Sequence, residues 1–240
     1  MRFDLRWMLA IVLAPAIPGL SVPFAPTSPP FGAVATLSLE YREDLRQAET
    51  IRRTRDLVDD VITTSYAELR DTAIQIKVFQ GESDFFRTRF AVPQFMSVGG
   101  MKYILFVNPR VFELKAPEAG LKAIIAHELA HILYFKQRNR VRHFNLVRLE
   151  SASFTAGFER RTDLEAISRG FGDGLKEYRQ WLYEHVPARK LAEKRSNYFS
   201  PEEIDALVSM SAARPCLFGY WRKRVPRDLS EILRSASAIC

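Results

Sequence analysis

The sequence predicts an α+β domain, mostly helical, with a small antiparallel sheet packed on one buried helix. Three observations predict it. Apolar residues step at helical spacing from Leu39 to about Asp71, three short runs rich in Ile, Val, Phe and Tyr follow, and the remainder is a series of apolar helical patterns with recognisable caps. Helix, then sheet, then helices is the order of an α+β chain.

Composition sets the outer limits. The 240 residues are 47% hydrophobic and include 17 Phe, 8 Tyr and 3 Trp, which excludes collagen, coiled-coil rods and disorder along the whole length. Two cysteines, Cys216 and Cys240, form no CxxC element able to hold a structural zinc, and in an oxidising compartment they can make one bond. The net charge of +7 invites a nucleic-acid or anionic-membrane reading. Most of the basic residues, however, alternate with acids along helices, as in Arg42, Glu43, Asp44 and Arg46, which is the pattern of a solvated face. The locally basic stretches Arg138 to Arg148 and Arg222 to Arg227 lack the interleaved aromatics of a base-stacking platform, so no specific nucleic-acid partner is expected.

Arg2 and Arg6 precede the apolar run Trp7 to Ala14, and six prolines then fall between Pro15 and Pro30. Residues 1–26 are read as a secretory signal peptide or an uncleaved amino-terminal anchor, which predicts an exported, periplasmic or secreted protein. Such proline density opposes a spanning helix, so the anchor is the only membrane contact expected. Residues 27–38 are read as a Pro-rich extended linker, and residues 39–240 as a single domain.

Within that domain, Tyr41, Leu45, Ala48, Ile51, Val58, Ile62 and Leu69 mark a scaffold helix. Strands are expected over Thr72 to Phe79, Phe86 to Val92 and Lys102 to Val107. Glu118 to Lys136 is apolar almost all round and belongs in the core. A second helix is expected from Phe144 to Arg169, stopped by the glycines of Gly170 to Gly174, and a third from Leu175 to His185. A fourth starts at Ser200, with Pro201 in the first turn and Glu203 completing a capping box.

The chemistry lies in the core helix, which carries His127-Glu128-Leu-Ala-His131. Two His four residues apart project from one helical face and can grip one metal ion, with Glu128 beside them as a general base for water. Zinc is the expected ion, one per chain, because borderline imidazole ligands suit it and two His plus a carboxylate leave a coordination position for water. Unpartnered polar groups inside such an apolar helix cost about 1–3 kcal/mol each, and metal ligation supplies the missing partners.

A third ligand is needed, and the second helix offers one. Leu149, Ala152, Ala156, Glu159, Asp163, Ala166 and Gly170 form one stripe, small or apolar except for two carboxylates. Glu159 is read as the third metal ligand and Asp163 as an acceptor holding a ligating imidazole by its other N–H. Pairing of both acids with Arg160 on a solvated face is the competing reading, and Glu150 and Glu165 are fallback ligands off the stripe.

Together Ala91-Val-Pro93, Gly99-Gly100 with the run Ile104 to Asn108, the HExxH element and Glu159-Arg-Arg-Thr-Asp163 resemble the gluzincin metallopeptidases of the HtpX and CAAX-prenyl-protease type. The likeness covers about Phe90 to Ala166. It implies a zincin-type metallopeptidase domain in which His127, His131 and Glu159 bind zinc, Glu128 is the catalytic base and Asp163 supports a ligand. It also implies that the strand Lys102 to Val107, through Tyr103, Leu105 and Val107, is the edge that pairs with an extended substrate peptide. Thr162 departs from the Ala common in that family, and the multiple membrane spans of its integral-membrane members are absent.

The function expected is therefore a zinc metalloendopeptidase acting on protein or peptide substrates outside the cytoplasm. His185, Tyr178 and Tyr198 are candidates for stabilising the oxyanion. Two alternatives use the same residues: a DNA-associated HExxH protease, and a peptide-binding or chaperone-like zinc module without turnover. Against the first stand the export segment and a Glu third ligand where that type uses His. Against the second stands Glu128, since metal binding alone needs no base there.

Overall fold

A computed structural model describes residues 31–90, 102–137 and 152–237, and the described part opens with a long helix, α1 (Phe31–Ser65). The export segment or anchor, residues 1–26, lies outside the described residues, as do Ala91 to Pro93, Gly99, Gly100, His143 and Glu150. The later part of the expected extended linker, residues 31–38, belongs to α1 instead. Pro30 is the last proline before Pro93, so nothing after it prevents a helix.

After α1 come β1 (Ile74–Val78), β2 (Phe86–Phe90) and β3 (Tyr103–Val107). Their order in the sheet is β1-β3-β2, and the sheet is mixed rather than antiparallel. β3 runs parallel to β1, from Ile74 opposite Tyr103 to Val78 opposite Val107, and antiparallel to β2, with Phe86 opposite Val107. Composition explains the order. Tyr-Ile-Leu-Phe-Val of β3 is apolar throughout and suits a central strand, whereas Lys77 in β1 and Arg87 and Arg89 in β2 put charge on the edges.

The remaining elements are helical: α2 (Arg110–Glu113), α3 (Glu118–Gln137), α4 (Ala152–Ala166), α5 (Gly172–His185), α6 (Ala188–Asn197), α7 (Pro201–Ala213), α8 (Leu217–Lys223) and α9 (Leu229–Arg234). The chain is thus mostly helical with a small mixed sheet, an α+β arrangement. The capping box expected at Ser200 and Glu203 is formed, with Pro201 at the first helical position. Among the described residues no helix is long and apolar enough to cross a membrane. Cys216 is disulfide-bonded, and the sequence holds one other cysteine, Cys240, outside the described residues.

α3 is the axis of the molecule. Fourteen of its 20 residues are buried, so its polar side chains have to be partnered within the protein. The sheet, α1 and α5 enclose one side in a core that includes Val61, Tyr66, Leu105, Ile125, Leu129 and Trp181. A second cluster around Phe199, Leu207 and Trp221 joins α7, α8 and α9 to α4 and α5.

Between α4 and α5 the chain passes through a π-helical stretch, residues 167–171, in which Gly170 adopts φ 92°. The glycines were expected to end the helix, and a positive φ does interrupt it there, but α5 resumes at Gly172 rather than Leu175. This bend lets both α4 and α5 lie against α3. The approach of α5 is close: a Cβ on Gly174 would stand 2.4 Å from the carbonyl oxygen of Ala119. Gly174→Ala is expected to lower stability by about 1–3 kcal/mol through forced separation of the two helices, read as a lower urea midpoint.

Candidate metal centre

Helical spacing places His127 and His131 on the same side of α3, their rings 4.8 Å apart. α4 lies across that side and brings in Glu159, which is 7% exposed. The distances are 3.1 Å from His127 Nε2 to His131 Nε2, 3.1 Å from His127 Nε2 to Glu159 Oε2 and 3.3 Å from His131 Nε2 to Glu159 Oε2. His127, His131 and Glu159 thus form a buried group able to hold a metal ion.

The outer sides of the two rings define what faces inward. His127 Nδ1 is 2.8 Å from Asp163 Oδ1 and donates to it, so the neutral ring carries no proton on Nε2. His131 Nδ1 is 3.4 Å from the hydroxyl of Thr162. Two nitrogen lone pairs and a carboxylate oxygen then converge on one point, an arrangement that repels itself unless a proton or a cation sits among them. The mutual distances also fit zinc, because bonds of about 2.0–2.1 Å in a tetrahedron separate the donors by roughly 3.3–3.4 Å.

Electrostatics agrees. Burial opposes protonation of His127, yet the carboxylates of Asp163 and Glu159 outweigh it and raise the ring's pKa to about 10. For Glu159 burial acts upward, and the attraction of His131 and His127 more than reverses it, holding the carboxyl well below its usual range. The pocket is therefore built to attract positive charge, and a cation entering it displaces a proton.

Asp163 is fully buried and has every partner it needs. Besides His127 it accepts from Arg179 Nη2, 3.3 Å from each carboxylate oxygen, and from the backbone N–H of Phe199 at 3.2 Å. Arg160, the alternative partner for these acids, bonds to Glu203 instead at 3.1 Å. Glu165, a fallback ligand, is engaged by Arg169 at 2.8 Å and Arg222 at 3.2 Å.

The three donors open on a cleft whose wall also includes Glu128, Arg87, Thr88, Tyr178, Arg179 and Tyr198. Glu128 is 5% exposed, and its Oε2 is buried with no hydrogen-bond partner among the described residues. A carboxylate oxygen with no described partner beside a cation-binding group is free to take part in proton transfer. Tyr178 and Tyr198 both reach the cleft, the ring of Tyr198 lying 5.9 Å from that of His127. Burial raises the pKa of each phenol, so both remain protonated donors at neutral pH.

Two expectations are corrected. His185 is not at the cleft: its ring stacks on Trp181 at 4.7 Å and its Nδ1 donates to the Trp181 carbonyl, which removes it as an oxyanion candidate. β3 is not an edge strand. Tyr103, Leu105 and Val107 are buried in a central strand that pairs with β1 on one side and β2 on the other, so β3 has no open ladder left for a peptide. The strand beside the cleft is β2, which is bonded to β3 on one side and to no strand on the other among the described residues. Thr88 of β2 donates to the carbonyl of Glu128 at 3.4 Å, which ties this edge to α3.

Sequence reasoning missed Arg179 and Thr162 as parts of the site. No motif signals either, since each acts through a contact between helices. No protein-family model, curated protein or solved structure matches this chain.

Proposed function

We propose that the protein is a zinc-dependent metalloendopeptidase with a zincin-type catalytic domain, hydrolysing peptide bonds in extracytoplasmic protein substrates. The observation that carries this reading is the convergence of His127 Nε2, His131 Nε2 and Glu159 Oε2 beside the unpartnered carboxylate oxygen of Glu128. The resemblance of the HExxH and ExxxD elements to gluzincins supports it. The disulfide at Cys216 supports an oxidising compartment, as expected of an exported protein.

His127, His131 and Glu159 would hold the zinc, which would supply Lewis acidity toward water and the peptide carbonyl. Asp163 keeps His127 in the tautomer that ligates through Nε2 and offsets part of the metal's charge. Glu128 takes the proton of the attacking water at Oε2 and delivers it to the departing amine nitrogen. The phenol of Tyr198 or Tyr178 donates to the carbonyl oxygen as it gains charge. The edge of β2 that pairs with no described strand aligns an extended substrate through main-chain hydrogen bonds, which selects backbone shape rather than one side chain.

The purified protein is expected to contain about one zinc per chain and to degrade unfolded casein. A chelator should abolish turnover, and added zinc should restore it. A protein that never loads metal, or whose turnover ignores the chelator, would falsify the proposal.

A further inference from the structure

We propose that Thr162 is a positioning residue that fixes the tautomer and rotation of the His131 ring, making the two imidazoles unequal ligands. This inference rests on the metal-binding reading of His127, His131 and Glu159.

Thr162 is buried at 5% exposure on α4, next in sequence to Asp163. Its hydroxyl donates to the carbonyl oxygen of Phe158, one turn back, at 3.0 Å. The hydroxyl proton is thereby committed, and Oγ1 can face His131 Nδ1, 3.4 Å away, only as an acceptor. The Nδ1 of His131 must then carry the ring proton, which leaves Nε2 as the nitrogen with a free lone pair. That Nε2 is the atom 3.3 Å from Glu159 Oε2. Phe158 also flanks the ring itself, with centroids 5.0 Å apart and planes inclined by 34°. Residues 158 and 162 thus hold His131 by one ring contact and one hydrogen bond.

His127 is held differently. Its Nδ1 meets a carboxylate at 2.8 Å, and a negative acceptor both fixes the tautomer and increases the electron donation of Nε2. A neutral hydroxyl at 3.4 Å fixes the tautomer with little such increase. Because Arg179 already balances Asp163, a second carboxylate behind His131 would leave an uncompensated charge in the core. Thr supplies an acceptor there without that cost, and Ala could not.

The test compares zinc affinity, by competition with a chromogenic chelator, among the wild-type chain, Thr162→Val, Thr162→Ser, Thr162→Ala and His131→Ala. Thr162→Val keeps a similar shape but leaves Nδ1–H without an acceptor, and zinc affinity is expected to fall about 10–100-fold, with Ser restoring it to within roughly threefold of wild type. A merely structural role would not be rescued by Ser, which lacks the methyl group. If Val prevents folding, judged by circular dichroism, Ser against Ala decides: tight Ser with weak Ala supports the proposal, and equal affinities overturn it. A folded Thr162→Val that binds zinc like wild type while His131→Ala does not overturns the role of Thr162 alone. If His131→Ala also binds like wild type, the metal-site reading fails with it.

Discussion

Glu128→Gln is expected to reduce peptide hydrolysis by about a hundredfold to ten-thousandfold while zinc stays near one per chain. The side chain is buried beside the three candidate metal donors, and its Oε2 has no partner to lose among the described residues, so the substitution removes the carboxylate with little structural change. The carboxamide keeps the size of the carboxylate, but its nitrogen cannot accept a proton. The measurement is turnover of casein together with metal content on the same preparation. Full activity in the variant would remove Glu128 from the chemistry, and loss of zinc along with activity would make it a structural residue.

The second large effect is expected at Glu159. Its Oε2 stands 3.1 Å from His127 Nε2 and 3.3 Å from His131 Nε2, so Glu159→Ala deletes one of three donors and the negative charge that draws the cation in. Zinc affinity should fall by more than the roughly 10–100-fold carried by groups that only support a ligand. Glu165→Ala is the control, because that carboxylate is occupied by Arg169 and Arg222. Zinc titration of both variants checks the order. A larger loss in Glu165→Ala would reassign the third donor.

Local spacing made much of this site readable. His127 and His131 needed only the four-residue repeat of a helix, and Glu159 and Asp163 needed only the observation that two acids interrupt a small, apolar stripe. The capping box at Ser200 was equally local and is present. The sheet was less readable, because strand order depends on which runs meet across the fold. The charge pattern nonetheless contained the answer: Arg87 and Arg89 mark β2 as an edge, while the uninterrupted apolar run of β3 belongs between neighbours. Thr162 looked like a departure from a family pattern until α4 was seen to lie against His131. From the sequence His185 was a candidate for stabilising the oxyanion, but Trp181 on its own helix engages it through both ring stacking and a hydrogen bond.

The donors that converge at this centre come from α3 and α4, and Arg179 of α5 steadies them through Asp163. The full set of three donors exists only when α3 and α4 are packed together, so metal binding would be coupled to tertiary assembly. At a free zinc concentration a hundred times the dissociation constant, the assembled state gains about 2.7 kcal/mol over the unfolded chain. On the proposed function the ion would be a staple as well as a reagent, and its removal is expected to lower the resistance of the fold to denaturation along with turnover.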